Sequence, residues 1–330
     1  MSAGSVIPTV ADVKDAYERL RDVVVRTPLL RNDELDKRIG APVYVKAEPL
    51  QLTGSFKMRG AYNRISRFTD EEKARGVVAF SSGNHAQGVA RAAKLLSIPA
   101  IIVMPSDAPK VKVEGVQRDG AEIVFYDRFK ESREEIARDI AEKRGCVVVP
   151  SYDDFYVMSG QGSCGIEITQ QFPLETPPQA LICGVGGGGL ISGVSLAAHD
   201  KWPETRIVGV EPQAADDHAR SLITGERETN PADATSICDA LMSPSPGELT
   251  FAINKHHLSA IALVTDEEAR EAVRFAFKHL KVVAEPGGCV SLAALLAGKV
   301  DLVPDEPVII VLTGGNIDPQ MMADILASAV

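Results

Sequence analysis

The chain has no segment long enough to cross a membrane. Its longest apolar runs, such as residues 99–104, have the length of a strand and fall far short of the ~20 apolar residues that a spanning helix needs. It also lacks a secretory signal, because residues 1–8 contain neither a basic stretch nor an apolar core. We therefore expect a cytoplasmic protein that has no membrane partner.

Cysteine is scarce and has no pairing pattern. The five cysteines are an odd number and none of them forms a C-x-x-C pair. This excludes a disulfide framework and a zinc knuckle as the basis of the fold. We expect reduced thiols, several of them buried.

An excess of basic residues is also absent. The chain has 35 Lys and Arg against 45 Asp and Glu, which gives a net charge of −10, and it contains no basic block. Nucleic-acid binding draws heavily on Lys and Arg to neutralise phosphates. The composition therefore excludes a nucleic-acid partner.

What remains is an ordinary globular composition in a long chain. Hydrophobic residues make up 45% and charged residues 24% of the sequence, which excludes a mainly disordered, collagenous or coiled-coil chain. The 330 residues exceed the roughly 250–300 that one hydrophobic core serves. We therefore expect two lobes.

Short apolar runs alternate with longer amphipathic stretches. The runs are typical of buried parallel strands, and the stretches between them are typical of crossover helices. The predicted strands cover residues 43–46, 76–80, 100–104, 122–125, 146–149, 180–183, 206–210, 261–264 and 308–312. Helical spacing and capping residues predict helices over residues 86–96, 129–143 and 266–280. The sequence therefore predicts an α/β protein with largely parallel sheets.

Three predicted strands end in loops rich in Gly, Ser or Thr, at the edge where open α/β sheets bind ligands. The loop at residues 81–88 opens a helix, so its N–H groups and hydroxyls suit a carboxylate, although a well-capped helix start explains it equally well. The loop at residues 313–316 reads Thr-Gly-Gly-Asn. Its hydroxyl suits a ring nitrogen or an anion, and a tight turn is the simpler explanation.

The remaining loop has four consecutive glycines, at residues 186–189. Without Cβ atoms the backbone can wrap an anion, so this loop predicts a phosphate site. The same stretch also spells G-x-G-x-x-G, with Glu211 about twenty residues further on, which is the fingerprint of a dinucleotide site. A nicotinamide-dependent oxidoreductase is therefore an alternative at this point.

Lys57 stands between Phe56 and a turn of small residues. A lysine in such surroundings is typical of a desolvated amine whose lowered pKa favours Schiff-base formation. An ordinary surface lysine is the alternative, since most lysines are exposed.

Residues 55–60, Ser-Phe-Lys-Met-Arg-Gly, closely resemble the cofactor-lysine motif of fold-type II pyridoxal-phosphate enzymes, in the threonine dehydratase and serine racemase branch. The resemblance continues in the family's order over nearly the whole chain. It covers residues 82–85, 160–163, 186–189, 211–217, 285–288 and 313–316. It implies a tryptophan synthase β-like α/β fold, with two open, largely parallel twisted sheets flanked by helices and the cofactor between two domains.

The resemblance also assigns roles to individual residues. Lys57 forms the Schiff base with pyridoxal 5'-phosphate and then acts as general base at Cα, and Ser82 faces it across the cofactor as the second catalytic residue. Asn84 binds the ring hydroxyl and Thr313, where many relatives have Ser, binds the ring nitrogen. The implied cofactor residues are Phe56, Lys57, Asn84, Gly186, Gly187, Gly188, Gly189, Glu285 and Thr313. The implied substrate residues are Ser81, Ser82, Asn84 and His85.

The implied reaction is β-elimination of water from L-threonine or L-serine, followed by release of ammonia and a 2-keto acid. Serine racemisation is an alternative, since Ser82 can reprotonate Cα from the other face. A third possible substrate is 3-hydroxyaspartate. Arg133 is a candidate to bind its second carboxylate, and the alternative is that this arginine simply lies on a solvated helix face. A non-catalytic binding module is the remaining alternative.

The resemblance further implies a divalent-metal loop. The Glu211 and Asp217 carboxylates with the Ala215 carbonyl are oxygen ligands suited to Mg²⁺ or Ca²⁺, and a pair of acids in a strand-to-helix loop is the alternative. We expect a large domain from residues 1–72 and 152–330 and a small inserted domain from residues 73–151. A homodimer is expected on the resemblance alone.

Overall fold

The structure is a computed structural model that describes residues 6–328 apart from Ser82, Pro109, Arg128 and Phe129. Its strands are β1 Leu29–Leu30, β2 Val43–Ala47, β3 Val77–Phe80, β4 Ala100–Pro105, β5 Glu122–Tyr126, β6 Val147–Val148, β7 Ala180–Gly184, β8 Arg206–Pro212, β9 Leu258–Val264 and β10 Val308–Leu312. They form a six-stranded sheet in the order β1-β2-β10-β7-β8-β9 and a four-stranded sheet in the order β5-β4-β3-β6. The strands in both sheets pair in parallel, except that β1 runs antiparallel to β2.

The helices are α1 Val10–Leu20, α2 Asp33–Ile39, α3 Lys57–Ile65, α4 Asp70–Arg75, α5 Asn84–Leu95, α6 Lys110–Arg118, α7 Arg133–Arg144, α8 Phe155–Gln171, α9 Gly189–Lys201, α10 Asp217–Thr224, α11 Glu248–His257, α12 Asp266–Phe275, α13 Val290–Leu296 and α14 Pro319–Ala327. They cover both faces of the sheets. Among the residues that the structure describes, no helix is both long enough and apolar enough to span a bilayer. All five cysteines are buried and free.

Strand β10 shows why the apolar runs predicted parallel strands. All its residues are buried, and Ile310 lies between Val45 of β2 and Ile182 of β7. Successive side chains point to opposite faces, so Ile310 packs into the cluster under α12 and α13, whereas Ile309 and Val311 pack under α8 and α9. A strand covered by helices on both faces must be apolar throughout. The predicted α/β fold class with two largely parallel sheets is confirmed.

Three examples show where the local predictions and the structure differ. Strand β1 was not predicted, because a two-residue antiparallel pairing leaves no periodic signal. The helix predicted from residue 129 begins at Arg133, because the side chain of Ser132 accepts the backbone N–H of Glu135 and caps it there. The helix predicted over residues 266–280 is α-helical only to Phe275 and continues as one π-helical turn, Ala276–Leu280.

A buried charge network anchors α3, the helix that Lys57 begins. The guanidinium of Arg59 donates to Glu48 Oε1 at 2.8 Å and to Glu167 Oε1 at 2.7 Å, and Lys46 Nζ donates to Glu167 Oε2 at 2.5 Å. All four side chains are buried. Buried charges are tolerated when they are paired and fully hydrogen-bonded, so this network fixes α3 against α8.

Candidate active site

Lys57 reaches into a cavity of about 350 Å³ that adjoins the carboxyl ends of strands from both sheets. Its Nζ donates a hydrogen bond to the carbonyl oxygen of Ser151 at 2.7 Å and lies 5.1 Å from the centre of the Phe56 ring. Burial lowers the pKa of this amine from 10.5 to about 8. At pH 7 roughly a tenth of the amine is therefore unprotonated and nucleophilic, far more than for an exposed lysine.

The tetraglycine loop forms another wall of the cavity. It connects β7 to the 13-residue helix α9, for which Gly188 is the N-cap residue with φ +93°. A Cβ on Gly187 would lie 2.2 Å from the ring of Tyr152, so no other residue fits there without displacing the tyrosine. A helix N-terminus with free N–H groups and no side chains in the way is a site for a phosphate.

Asn84 and Thr313 both line the cavity, although they follow strands of different sheets, β3 and β10. Asn84 begins α5, and its Oδ1 accepts a hydrogen bond from Asn316 Nδ2 at 2.8 Å. Thr313 follows β10, and its carbonyl oxygen accepts the backbone N–H of Phe56 at 3.2 Å. This bond ties the loop after β10 to the segment that carries Lys57.

Glu285 lies one layer behind Asn84, whose Nδ2 donates to its Oε1. Its side chain is buried, and burial raises its pKa above the ordinary value in spite of Lys112, whose Nζ is 3.9 Å from Oε2. The hydrogen bond to Glu285 orients the Asn84 amide, and the role at the cofactor that the resemblance implies for Glu285 stays a prediction.

Ser81 and His85 also line the cavity, at the start of α5. Ser81 Oγ accepts the backbone N–H of Gly83 at 3.1 Å, and His85 Nε2 lies 2.9 Å from the carbonyl oxygen of Val149. Burial, and to a smaller degree the charge of Lys57, lower the pKa of His85 to about 3, so the ring is neutral and Nε2 carries the hydrogen. Ser82, the predicted second catalytic residue, lies outside the described residues.

The structure thus brings the described cofactor and substrate candidates to one cavity, with Glu285 behind it. The candidates that line the cavity are Phe56, Lys57, Ser81, Asn84, His85, Gly186, Gly187, Gly188, Gly189 and Thr313. The amine, the glycine loop and the two polar side chains together fit pyridoxal phosphate.

Arg133 is also part of the cavity wall. Its Nε donates to Glu134 Oε1 at 2.8 Å, and its guanidinium carbon lies 5.5 Å from the centre of the Phe80 ring. Only 36% of its side chain is exposed. Arg133 is therefore more than a residue of a solvated helix face, because its guanidinium borders the space where a substrate fits.

Sequence reasoning missed Lys112 and Asp239, which line the same cavity. Lys112 Nζ donates to Asp239 Oδ2 at 2.6 Å, and the carboxylates of Asp239 and Glu285 keep its pKa above the ordinary value although burial opposes this. The residues are 127 positions apart. No local pattern in the sequence marked either residue, and nothing in it indicated that they would meet.

The predicted metal-binding acids lie outside the cavity, behind the glycine loop. Glu211 is near the end of β8, and Asp217 and His218 begin α10; the ligand atoms of all three lie within 4.8 Å of one another. Burial, and then the charge of Asp217, raise the pKa of Glu211 well above the ordinary value. Ala215 is buried in the same loop, with its N–H bonded to the Pro212 carbonyl oxygen at 2.9 Å. His218 was not among the predicted ligands, although it follows Asp217 directly.

These three residues fit a cation. Asp217 Oδ2 and His218 Nδ1 are buried and have no hydrogen-bond partner among the residues that the structure describes. Buried polar atoms without a partner are costly, and a bound ion would satisfy both.

Comparison with known proteins agrees with the site. Residues 20–314 match the family of pyridoxal-phosphate dependent enzymes. The chain is 45% identical over 315 residues to an L-threo-3-hydroxyaspartate ammonia-lyase of a Pseudomonas species, covering 96% of this chain and 97% of the relative. It is 41% identical over 318 residues to an L-threonine ammonia-lyase of Thermotoga maritima, covering 96% of this chain and 78% of the relative. Among solved structures, maize serine racemase superposes with a TM-score of 0.91 at 35% identity and 98% coverage of both chains.

The chain belongs to the family of pyridoxal-phosphate dependent enzymes. It is an enzyme, and its relatives are ammonia-lyases and serine racemases. This membership rules out the alternatives of a nicotinamide-dependent oxidoreductase and of a non-catalytic binding module.

Proposed function

We propose that this enzyme eliminates water from a β-hydroxy amino acid, with L-threonine and L-serine as its main substrates, and that hydrolysis of the resulting enamine then gives ammonia and a 2-keto acid. The observation that carries the proposal is the position of Lys57, whose desolvated amine shares one cavity with the tetraglycine loop and Thr313. Both the amine and the anion site are needed for this chemistry. The related ammonia-lyases and racemases support the same class of reaction.

We propose that residues 186–189 bind the cofactor phosphate with their N–H groups and that Phe56 packs beside the ring. Asn84 bonds the ring hydroxyl, and the Glu285 carboxylate keeps the Asn84 amide in the required orientation. When bound, pyridoxal phosphate supplies an electron sink that makes the substrate Cα–H acidic. The hydroxyl of Thr313 is a neutral partner for the ring nitrogen, so it does not hold a proton there as a carboxylate would.

In this proposal Lys57 is the general base at Cα. Its amine is held by the Ser151 carbonyl oxygen in a buried position, where the lowered pKa makes the neutral form accessible near neutral pH. The substrate carboxylate lies at the N-terminus of the 12-residue helix α5, where Ser81, Ser82 and Asn84 offer hydrogen bonds and His85 completes the wall. Racemisation is a second activity of the same site if Ser82 delivers a proton to the opposite face.

A second candidate substrate, 3-hydroxyaspartate, is favoured by Arg133. This substrate carries a second carboxylate, and a guanidinium is the side chain best suited to a carboxylate because it offers donors in a planar fork. In the structure the Arg133 contact with Glu134 uses Nε, so its terminal N–H₂ groups remain suited to the substrate.

We further propose the domain arrangement and the assembly. The large domain comprises residues 1–72 and 152–330, and the small domain comprises residues 73–151; the two separate sheets support this division. Glu211 and Asp217, with the Ala215 carbonyl, form a divalent-cation site whose ligands are considered further below. The chain forms a homodimer, which light scattering of the purified protein tests directly.

The deciding experiment measures release of keto acid from L-threonine, L-serine, D-serine and the 3-hydroxyaspartate isomers, with chiral analysis of the remaining amino acid. Keto acid from L-threonine and L-serine without inverted substrate is the expected result. Turnover of 3-hydroxyaspartate alone moves the assignment to the second candidate, and inverted serine as the main product moves it to a racemase. Lys57→Ala serves as the control, and it is expected to lose both activity and the yellow colour of the bound cofactor. No turnover of any of these substrates overturns the proposal.

A further inference from the structure

We propose that His218 is a direct ligand in the cation site, which makes it a mixed carboxylate and imidazole site. Such a site takes a divalent transition ion of the Mn²⁺ or Zn²⁺ class in preference to Mg²⁺ or Ca²⁺. Imidazole nitrogen suits transition ions, whereas Mg²⁺ and Ca²⁺ prefer sites made of oxygen alone. The proposal does not depend on which amino acid the enzyme converts.

The distances suit ligands of one ion better than hydrogen bonds. His218 Nδ1 lies 3.7 Å from Glu211 Oε1 and 3.7 Å from Asp217 Oδ2. This is too long for a hydrogen bond. An ion about 2.1 Å from each ligand separates neighbouring ligand atoms by roughly 3.0–3.4 Å, so a small side-chain rotation completes the site.

The atoms of Asp217 and His218 that lack a hydrogen-bond partner among the described residues face the space where an ion would bind. Asp217 Oδ1 accepts a hydrogen bond from Asn230 Nδ2 at 2.6 Å, and the Glu211 oxygens accept the backbone N–H groups of His218 and Ala219 at 3.0 and 2.9 Å. The remaining atoms, Asp217 Oδ2 and His218 Nδ1, are buried and have no hydrogen-bond partner in the described chain. Each is therefore available to an ion between them.

The surroundings of Glu211 and Asp217 also favour a bound cation. Glu211 and Asp217 are fully buried, and the one basic side chain within 4.0 Å of either carboxyl group in the described part of the chain is His218 itself. The nearby Arg220 pairs instead with Asp216, at 2.8 Å. Two buried carboxyl groups with no Lys or Arg partner in the described chain are therefore suited to a bound divalent ion.

The other imidazole nitrogen has a suitable orienting partner. Nε2 lies 3.2 Å from the Asn254 Nδ2, and Asn254 Oδ1 lies 2.9 Å from Ser192 Oγ. A ligating histidine donates its second N–H, so Nε2 needs an acceptor. Turning the Asn254 amide by 180° supplies its oxygen to Nε2 and its nitrogen to Ser192 Oγ. Ser192 then donates to the Gly188 carbonyl oxygen, 2.7 Å away, and every group remains bonded.

This arrangement links the cation site to the glycine loop. A Cβ on Gly188 would lie 2.8 Å from His218 Nε2, so the imidazole packs directly behind the loop. An ion that fixes His218 also fixes Asn254, Ser192 and the Gly188 carbonyl. We therefore expect the cation to raise the affinity for pyridoxal phosphate, and the cofactor to raise the affinity for the cation by the same factor.

The test uses the full-length holoenzyme, treated with a chelator and then titrated separately with MnCl₂, ZnCl₂, MgCl₂ and CaCl₂. Metal analysis and calorimetry are expected to show one Mn²⁺ or Zn²⁺ per chain, bound at least tenfold more tightly than Mg²⁺ or Ca²⁺. Pulsed electron paramagnetic resonance of bound Mn²⁺ is expected to show coupling to an imidazole nitrogen. This last measurement needs no variant, so it decides the role of His218 even if substitutions there impair folding.

His218→Ala is expected to weaken binding of Mn²⁺ and Zn²⁺ by tenfold or more and to remove the nitrogen coupling. The matched control is His256→Ala, because His256 is an exposed histidine on α11. Absence of nitrogen coupling in the wild-type protein, equal binding by His218→Ala, tighter binding of Mg²⁺ or Ca²⁺, or no binding of any ion overturns the proposal. None of these readouts requires turnover, so their failure is distinct from failure of the proposed reaction.

Discussion

Lys112 and Asp239 form an ion pair in the wall of the cavity, with 2.6 Å between Nζ and Oδ2. Lys112 belongs to α6, which packs in the core of the four-stranded sheet through Val116. Asp239 begins a short 3₁₀ turn whose Leu241 packs in the core of the six-stranded sheet. This pair therefore connects the two sheets across the site.

We expect Lys112→Met and Asp239→Asn to show non-additive effects on the free energy of unfolding. The coupling should be about 1 kcal/mol and no more, because the Asp239 side chain is 48% exposed and water screens the pair. Urea unfolding of the two single variants and the double variant measures it. Strict additivity would show that the ion pair makes no contribution.

The lowered pKa of Lys57 predicts how fast the apoenzyme captures its cofactor. Only the neutral amine attacks an aldehyde, so the capture rate should rise with pH with a midpoint at about 8, well below the ordinary lysine value of 10.5. Stopped-flow absorbance of apoenzyme mixed with pyridoxal phosphate measures this profile. A midpoint near 10.5 would contradict the desolvated amine.

The buried neutral His85 should make the fold less stable in acid. Its pKa is about 3 in the folded state, whereas the ordinary value of a histidine is 6.5, so the unfolded state binds a proton that the folded state excludes. Stability is therefore lost as pH falls below 6.5, by about 2 kcal/mol at pH 5 from this residue.

Urea unfolding at pH 7 and pH 5 measures this loss, and His85→Gln is expected to show a smaller difference between the two pH values. His256→Gln, at an exposed position, is the control and should behave as the wild type. An unchanged pH dependence in His85→Gln would refute the prediction.

Removal of Arg59 should destabilise the enzyme strongly. Arg59→Met leaves Glu48 and Glu167 buried without their main partner, which typically costs about 3–5 kcal/mol. The matched control is Arg144→Met, because Arg144 pairs with Glu122 at a solvent-exposed position, where a much smaller loss is expected. The midpoints of urea unfolding compare the two, and equal losses would mean that burial of the network contributes nothing.

Arg133 should discriminate between the candidate substrates. If it binds the second carboxylate, Arg133→Met lowers kcat/KM for 3-hydroxyaspartate by about 100-fold more than for L-serine, which corresponds to about 2.7 kcal/mol. Arg138→Met is the control on the same helix, where the arginine side chain is 64% exposed. Equal effects on both substrates would show that Arg133 does not contact the second carboxylate.

The sequence predicted the strands, the glycine loop and the Lys57 motif because each depends on residues that are neighbours in the chain. Strands buried on both faces must be apolar throughout, so runs such as that of β10 predicted the parallel sheets. Loops that approach an anion need glycine, so the four glycines at residues 186–189 predicted a phosphate site by themselves. The motif around Lys57 is local, and its neighbours in the chain are also its neighbours in space.

The tertiary structure alone decided which distant residues meet. Asn84 and Glu285 are separated by 201 positions and Lys112 and Asp239 by 127, and no periodicity or local motif carries such a pairing. For the same reason only the folded chain shows that Arg133 borders the cavity and that His218 turns its Nδ1 toward two buried acids. Local sequence determines the strands and loops because it sets backbone preference and burial, whereas packing between the sheets sets the distances on which the chemistry depends.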